Sequence, residues 1–341
     1  MTLSSESGPR LGFLGTGWIG RHRLEAIAAT GAAQIVALVD PDEDCAREAL
    51  ALAPGAAILS CYESLLDAGL DGVVIATPSA LHAEQAITAL ERGVAVFCQK
   101  PLGRTAAETA RVVEAAENAD RLLGVDLSYR HTAAARALAA LIEEGTLGTI
   151  FAADLVFHNA YGPDKPWFRD PALSGGGCVI DLGVHLVDLA LWLTGFPAVE
   201  RVGARLFAGG EPFARGAGRV EDFALARLDL AGGAAVRIAC SWNLHAGEDA
   251  RIEASFHGTR GGARLRNVGG SFYDFELARF SGTGCETLVG PPEDWGGRAA
   301  AAWARALAES PRFDPEAHRF TAAAEVVDRI YAAGERAGSA A

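Results

Sequence analysis

Short apolar runs alternate with amphipathic stretches from Arg10 to Asp126. The runs read RLGFL, QIVALVD, GVVIATP, VAVFC and RLLGVD, and a helical pattern separates each from the next. This alternation is typical of βαβ units, and near-continuous apolar strands are expected where helices cover both faces of a parallel sheet. The pattern therefore predicts a doubly wound α/β domain over residues 1–125.

The pattern changes after Tyr129-Arg130, and a second domain is expected over residues 126–341. Two strand-like segments flank Ala231-Gly232-Gly233, a sequence with hairpin chemistry, and indicate an antiparallel sheet. The predicted helices lie at about 132–144, 178–193 and 321–335, and the predicted strands at 149–159, 222–230 and 234–242.

Composition narrows the possible functions. The chain has 341 residues, half of them hydrophobic, and carries 43 acidic against 30 basic residues for a net charge of −13. That balance argues against binding nucleic acid by neutralising phosphates. Six widely spaced cysteines without a C-x-x-C pair are expected to be reduced thiols. The start has no signal-peptide pattern and no apolar run approaches about 18 residues, so a cytoplasmic protein without a membrane partner is expected.

A glycine-rich motif, Gly15-Thr16-Gly17-Trp18-Ile19-Gly20, follows the first predicted strand and opens a helical pattern. Gly15 permits a tight turn, Gly17 lets a pyrophosphate approach the backbone, and Gly20 allows close packing of helix and strand. The positive end of the helix dipole then faces the phosphates. These six residues are the predicted dinucleotide-binding loop.

Asp40 ends the second predicted strand, twenty residues beyond Gly20. An acidic side chain here accepts hydrogen bonds from the adenosine ribose and repels a 2′-phosphate, which favours NAD while leaving NADP possible. The alternative is an ordinary strand-end or helix-capping aspartate before Pro41.

Further candidate residues follow later strands. Thr77-Pro78 and Gln99-Lys100 stand where two apolar strands end, and ligands of doubly wound sheets bind beyond the carboxyl ends of the strands. All four residues are expected to border the cofactor. In the second domain, Asp181 and His185 are four residues apart after Gly175-Gly176-Gly177, a spacing that puts them on one face of a helix.

Taken together, these motifs resemble the Gfo/Idh/MocA oxidoreductases, the family of glucose-fructose oxidoreductase and inositol dehydrogenase. The resemblance rests on the glycine motif, Ala76-Thr77-Pro78 followed by His82, Lys100-Pro101, and Asp181-x-Gly183-x-His185-x-x-Asp188. It implies a Rossmann domain followed by an α/β domain with a large open sheet, whose outer face commonly forms dimers or tetramers.

The resemblance also implies catalytic roles. Lys100 would lie between nicotinamide and substrate, and Asp181 and His185 would complete the catalytic set from the second domain. Histidine titrates near working pH, so His185 is the predicted general base, Lys100 stabilises the developing alkoxide, and Asp181 orients the substrate and supports the charge of His185. Many members have Glu-Lys-Pro, whereas this chain has Gln99, which can hydrogen-bond to a ribose or the backbone but cannot hold Lys100 by charge.

Other residues have open alternatives. Arg130 either faces the nicotinamide side or forms a salt bridge at the domain junction, and Trp167 either contacts cofactor or substrate or anchors its loop. His82 is expected to pack at a helix start, and His245 is either a pocket residue or solvated. Asp181 and His185 could bind a metal with His158 as a third ligand, but no H-E-x-x-H or paired cysteines accompany them, so no metal is predicted.

The sequence therefore predicts an NAD-dependent enzyme that transfers a hydride between nicotinamide and a secondary alcohol or carbonyl of a sugar, inositol or related polyol. Two alternatives stay open: an NADPH-dependent reductase of another C=O, C=N or C=C bond, and a non-catalytic NAD sensor. A homodimer or homotetramer is expected.

Overall fold

A computed structural model describes residues 8–213 and 218–338 and divides them into two compact units. The first unit contains residues 8–103, 107–128 and 296–321. The second contains 104–106, the described residues of 129–295, and 322–338. A late segment thus belongs with the N-terminal fold, which a single boundary at residue 125 does not describe.

The first unit is built on a six-stranded parallel sheet with the order β3-β2-β1-β4-β5-β6. This is the doubly wound order, in which the order of the strands reverses at β1, so that β2 and β3 lie on one side of it and β4, β5 and β6 on the other. The predicted Rossmann fold is confirmed. Its strands are β1 Arg10–Leu14, β2 Gln34–Val39, β3 Ala57–Ile58, β4 Gly72–Ile75, β5 Ala95–Cys98 and β6 Leu123–Val125.

Helices cover both faces of this sheet, as the apolar strands require. Within β4, Val73 and Ile75 join one apolar core and Val74 joins the other, because successive side chains of a strand point to opposite faces. The helices are α1 Trp18–Ala28, α2 Glu43–Leu52, α3 Tyr62–Leu66, α4 Ser79–Glu91, α5 Ala106–Ala119 and α9 Arg298–Glu309.

Helix α9 was not predicted. Its sequence, RAAAAWARALAE, nevertheless follows a helical period, with Ala300, Trp303, Ala304 and Leu307 buried on one face. Trp303 and Leu307 fill the space above Gly72, and Trp303 also packs against Gly124, so that a Cβ at either glycine would lie within 3 Å of these side chains. The close approach explains why this late segment belongs to the first unit.

The second unit is a nine-stranded sheet with the order β15-β14-β13-β12-β7-β11-β10-β8-β9. All neighbouring strands are antiparallel except β7 and β11, so the predicted mostly antiparallel sheet is confirmed. Its strands are β7 Ile150–Asn159, β8 Val199–Ala208, β9 Glu211–Pro212, β10 Phe223–Leu230, β11 Ala235–Ser241, β12 Ala250–Gly258, β13 Gly262–Asn267, β14 Phe275–Ser281 and β15 Gly284–Val289.

Helices cover one face of this sheet. Leu155 and Phe157 of β7 point into the core beneath them, whereas Asp154 and His158 point to the opposite face, called here the outer face. The helices are α6 Ala133–Glu143, α7 Pro171–Ser174, a π-helical turn Val179–Gly183, α8 Val184–Leu193 and α10 His318–Gly338. Short 3₁₀ turns occupy Ser128–His131 and Pro166–Arg169, and a third, Pro315–Ala317, belongs to the first unit.

One segment, Pro171–Leu193, has the length and composition of a membrane span, although no such run was expected. Its apolar stretch contains Asp181, His185 and Asp188, and 83% of its most apolar 18-residue window is buried inside the protein. The core helix of a soluble fold can have the same composition, and this segment packs as such a core helix.

Candidate active site

The glycine-rich loop has the shape that a dinucleotide requires. Gly15 has φ of +89°, and a Cβ there would lie 2.6 Å from the carbonyl oxygen of Ala76. A Cβ on Gly20 would lie 2.2 Å from the carbonyl oxygen of Gly15, whereas a Cβ on Gly17 would meet nothing within 4 Å. The open backbone at Gly17, which caps α1 without a side-chain hydrogen bond, fits a pyrophosphate group.

Asp40 contacts this loop directly. Its Oδ2 accepts hydrogen bonds from the Thr16 backbone N–H at 2.6 Å and the Thr16 hydroxyl at 3.2 Å, and its Oδ1 accepts one from the Asp42 N–H at 2.9 Å. A carboxylate has about four lone-pair positions, so it retains acceptor capacity for ribose hydroxyls. The structural and cofactor-binding interpretations of Asp40 are therefore compatible.

Trp18 and Ile19 form the first turn of α1 beside the loop. The Trp18 side chain is 57% exposed and stacks on the His22 ring, with a centroid distance of 5.6 Å. Ile19 is half-buried. An exposed indole beside the predicted phosphate position leaves a large apolar surface for the cofactor to cover.

The ends of β4 and β5 are connected through His82. Its Nε2 lies 2.7 Å from the Thr77 carbonyl oxygen and its Nδ1 lies 2.7 Å from the Pro101 carbonyl oxygen. Burial lowers the pKa of His82, although both carbonyls favour the protonated ring. His82 is thus a buried link between the two predicted cofactor-binding segments, as the expected packing role implies. Lys100 belongs to the second of these segments and is half-buried.

Polar side chains at the same two strand ends bind protein groups. The Thr77 hydroxyl donates to Gln85 Oε1 at 2.6 Å, and Pro78 caps α4. The Gln99 amide donates to the buried Asp126 carboxylate. At both strand ends, a polar side chain is thus held by another side chain of the protein.

Asp181 and His185 lie on consecutive turns in the second unit. Asp181 belongs to the π-helical turn and His185 to the first turn of α8, so the predicted continuous helix changes its hydrogen-bond pattern between them. π-Helical turns are rare and are found frequently at functional sites. His185 is 8% exposed, and its ring packs edge-on against Tyr129 at 4.9 Å.

The same cluster contains Tyr129. Desolvation in this aromatic cluster, followed by the negative charge of Asp181, raises the pKa of the Tyr129 hydroxyl. Tyr129 thus contacts His185 directly, and the charge of Asp181 acts on the same hydroxyl. The sequence placed an aromatic residue near Arg130, but it did not identify Tyr129 as a neighbour of the acid–base pair.

Trp242 holds Asp181 and was not predicted. It follows β11, is 3% exposed, and donates its indole N–H to Asp181 Oδ2 at 3.1 Å. Phe168 packs edge-on against Trp242 at 6.5 Å, and Trp167 stacks on Phe168 at 3.8 Å. Trp167 is thus linked to Trp242 through the Phe168 ring, a packing that fits the loop-anchoring interpretation. His245, three residues beyond Trp242, is exposed.

Replacement of Trp242 by phenylalanine tests this contact. The change keeps the ring but removes a hydrogen bond to a carboxylate, and the expected result is a fall in kcat of about tenfold. Trp303→Phe is the matched control, because the Trp303 indole N–H has no hydrogen-bond partner among the described residues. Steady-state kinetics of both variants decide the outcome, and equal kcat values would mean that Trp242 does not position Asp181.

Glu221 binds the backbone at the start of the π-helical turn that carries Asp181. It is fully buried and accepts hydrogen bonds from the backbone N–H groups of Gly177 and Val179 at 2.9–3.0 Å, and from the Tyr331 hydroxyl at 2.8 Å. A Cβ on Gly177 would lie 1.8 Å from the Glu221 carbonyl oxygen. Gly177 thus lets the backbone pass against the Glu221 main chain, and Gly176 lets it pass against Tyr331, whose hydroxyl would lie 2.0 Å from a Cβ there.

Arg130 forms a structural ion pair within the second unit. Its guanidinium makes a two-point contact with the buried Asp188 carboxylate, with Nε at 2.7 Å from Oδ2, and packs over Trp192 and Phe196. Burial raises the pKa of Asp188 although Arg130 opposes this effect. The salt-bridge interpretation of Arg130 is the one this geometry favours.

The hypothetical metal site is not supported by the strand geometry. His185 packs near Phe157, on the inner face of β7, whereas His158 points to the outer face and bonds to the Ser241 hydroxyl at 2.7 Å. In the described part of the chain, no three His, Cys, Asp or Glu side chains lie close enough together to bind a metal.

A glycine-rich cradle on a Rossmann sheet and a buried histidine beside an acid in a second unit define a class: two-domain nicotinamide-dependent oxidoreductases. Comparison with known sequences agrees. Residues 10–127 match the oxidoreductase family with an NAD-binding Rossmann fold, and residues 135–264 match the GFO/IDH/MocA C-terminal domain. The chain belongs to the Gfo/Idh/MocA oxidoreductase family and is an NAD-binding oxidoreductase.

Individual relatives act on sugars and inositol. The 1,5-anhydro-D-fructose reductase of Ensifer adhaerens is 31% identical over 262 residues, 76% of each chain. An inositol 2-dehydrogenase of Saccharopolyspora erythraea is 32% identical over 187 residues, 54% of this chain and 53% of its own length. A levoglucosan dehydrogenase solved with NADH and L-sorbose has the same fold, with a TM-score of 0.82, 24% identity, and coverage of 96% and 97%.

Proposed function

We propose that this enzyme oxidises a secondary alcohol of a sugar, inositol or related polyol with NAD, or carries out the reverse reduction. The observation that carries the proposal is the environment of His185: a buried imidazole packed against Tyr129, next to Asp181, in an NAD-binding chain. Proton transfer at neutral pH requires such a group, whereas a sensor that only binds NAD does not.

The chemistry follows from the balance of the reaction. Bound NAD supplies the acceptor for the hydride that leaves the carbinol carbon. The hydroxyl proton must leave as well, and His185 takes it, which creates an imidazolium that Asp181 stabilises by charge. Trp242 donates to Asp181 Oδ2, so that carboxylate oxygen serves as a hydrogen-bond acceptor in a fixed position.

Lys100 stabilises the negative charge that develops on the substrate oxygen. An ammonium ion is a compact donor of three hydrogen bonds, and such a group aimed at a developing alkoxide lowers the barrier most effectively in a partly desolvated site. Lys100 is half-buried two residues after β5, at the strand end where a doubly wound sheet binds its ligand.

Preference for NAD over NADP follows from the acidic segment after β2. This segment contains four acidic residues interrupted only by Pro41: Asp40, Asp42, Glu43 and Asp44. Hydrogen bonds from the backbone N–H groups of Cys45 and Asp44 lower the pKa of Asp42. The basic residues beside this segment are already paired, Arg21 with Glu48 at 2.9 Å and Arg47 with Asp44 at 2.7 Å. A 2′-phosphate would meet net negative charge here.

We further propose a cytoplasmic homodimer or homotetramer that pairs through the outer face of the nine-stranded sheet. That face carries complementary ion pairs, including Arg237–Asp154 at 2.7 Å and Arg266–Glu276 at 2.6 Å, together with the 42% exposed Leu225. All six cysteines are free thiols, as expected in a reducing compartment.

A substrate panel tests the proposed function. Purified protein is mixed with sugars, inositols and their keto forms in parallel with NAD, NADP and the reduced cofactors, and nicotinamide absorbance is followed. The expected result is turnover of at least one polyol, with kcat/KM for NAD about tenfold or more above that for NADP. Binding of NADH without turnover of any panel member would contradict the proposed reaction and favour a sensor.

A further inference from the structure

A buried carboxylate, Asp126, connects two cofactor-facing segments of the first unit. It follows β6, is 1% exposed, and accepts hydrogen bonds from three side chains. Arg23 Nε donates to its Oδ2 at 2.6 Å, the Gln99 amide donates to the same oxygen, and the Ser128 hydroxyl donates to Oδ1. Each of these partners is less than 10% exposed, so the whole network lies out of contact with bulk water.

The network joins the glycine-rich loop to the strand end that carries Lys100. Arg23 lies on α1, whose first turn forms part of the loop, and Gln99 is the residue immediately before Lys100. Arg23 also contacts Ser128 Oγ at 3.3 Å and His22 Nδ1 at 2.9 Å, and the His22 ring stacks on Trp18. A change at Asp126 would therefore reach both segments.

The charges in this network balance only because residue 99 is neutral. Arg23 and Asp126 form one buried ion pair, to which Gln99 adds a donor and no charge. Two other titratable groups of the first unit face the network: the His22 ring, which lies beside Arg23, and the buried Cys98 thiol. The pKa of Cys98 is raised by burial and, to a smaller extent, by the charge of Asp126. A glutamate at 99 would place a second carboxylate against Asp126, and two buried carboxylates in contact cannot both ionise at low cost.

We propose that Asp126 is a positioning residue, and that glutamine at 99 is its required partner: the buried Arg23–Asp126–Gln99 network fixes Lys100 relative to the helix that holds the cofactor. The inference rests on the function proposed above. It gives the neutral amide at 99 a role in this chain, because the carboxylate of the network stands at 126.

Two variants test the proposal. Gln99→Glu is expected to weaken NADH binding and lower kcat by about tenfold or more at pH 9, relative to the native enzyme at the same pH. At pH 6 the NADH affinity and the kcat of Gln99→Glu are expected to lie within about threefold of the native values at that pH. The reason is that the introduced carboxyl group, once protonated, donates to Asp126 as the amide did. The double variant Gln99→Glu/Asp126→Asn restores one carboxylate, one amide and one arginine, and is expected to be near native at both pH values.

The controls separate positioning from stability and from charge. Gln34→Glu adds the same charge at an exposed position of β2 and should leave both NADH affinity and kcat at their native values. A Gln99→Glu variant with a lower melting temperature but native kcat and NADH affinity would show that the network only stabilises the fold, which overturns the proposal. If Gln99→Glu does not fold, the double variant decides: native activity supports the proposal, and continued impairment overturns it.

The NADH measurements keep the test independent of the substrate. If the native enzyme turns over no polyol, the proposed reaction is wrong, but the pH dependence of NADH affinity in Gln99→Glu and its rescue in the double variant still report on the network. Equal NADH affinity of native and Gln99→Glu protein at pH 9 would then overturn the inference by itself.

Discussion

Replacement of His185 by asparagine is expected to lower kcat by about two to four orders of magnitude, the usual contribution of a positioned general base. Asparagine keeps a polar side chain against Tyr129 but does not titrate. NADH affinity should remain within about twofold of native, because the cofactor cradle lies in the first unit. Stopped-flow or steady-state measurement of nicotinamide absorbance, with NADH fluorescence for binding, gives both values.

The pH profile adds a second criterion for His185. In the native enzyme, alcohol oxidation requires the unprotonated base, so kcat should fall toward acidic pH, and this limb should disappear in His185→Asn. His257→Asn, an exposed histidine on β12, is the matched control and should retain the native profile. A His185→Asn enzyme with native kcat, or with the acidic limb intact, would assign the proton transfer to another residue.

The cofactor cradle could be predicted from the sequence because its requirements are local. The need for glycine at positions 15, 17 and 20 arises from steric contacts within one strand–turn–helix unit. The structure shows the expected crowding at Gly15 and Gly20 and the expected open backbone at Gly17. The contact between Asp40 and Thr16 joins two strands that are neighbours in any doubly wound sheet.

The environment of Asp181 could not be predicted, because it depends on strand register. Trp242 reaches Asp181 only because β11 places Cys240 inward, Ser241 outward and Trp242 inward again, and a shift of one residue would reverse all three. The spacing between Asp181 and His185 was visible in the sequence, whereas the π-helical turn that separates them was not.

The buried carboxylate at 126 was not predicted for a different reason. Asp126 belongs to no motif, and a single aspartate after a strand is ordinarily a turn residue. Its role becomes visible only when Arg23 and Gln99, distant in sequence, are found on the same oxygen atom. The unusual feature in the sequence was Gln99, and the structure shows its amide bound to the Asp126 carboxylate.

Lysine is rare in this chain, which makes Lys100 informative. Of 30 basic residues only Lys100 and Lys165 are lysines, and the others are arginines. Arginine is therefore the usual cation of the chain, and a lysine next to Gln99 suggests that the position requires a compact ammonium rather than a planar guanidinium. Charge alone would be satisfied by either side chain.

The prediction is that Lys100→Arg loses activity although it keeps the charge. A larger, planar group cannot place a single donor at the substrate oxygen, and the expected fall in kcat is about 10²–10³-fold, similar to the loss of one oxyanion-stabilising donor. Lys100→Met, which removes the charge but keeps the aliphatic chain, should lose at least as much. NADH affinity is measured in parallel and should change by less than about threefold, since hydride transfer rather than cofactor binding is affected.

Lys165→Arg provides the matched control for this substitution. Lys165 is exposed in a loop of the second unit, where it pairs with Asp164 at 3.6 Å, so either cation serves there and native kcat is expected. If Lys100→Arg also kept native kcat, Lys100 would act only through its positive charge, and the argument from geometry would fail. If Lys100→Met were fully active as well, the developing alkoxide would have to be stabilised by another group, and the assignment of Lys100 to the catalytic set would be wrong.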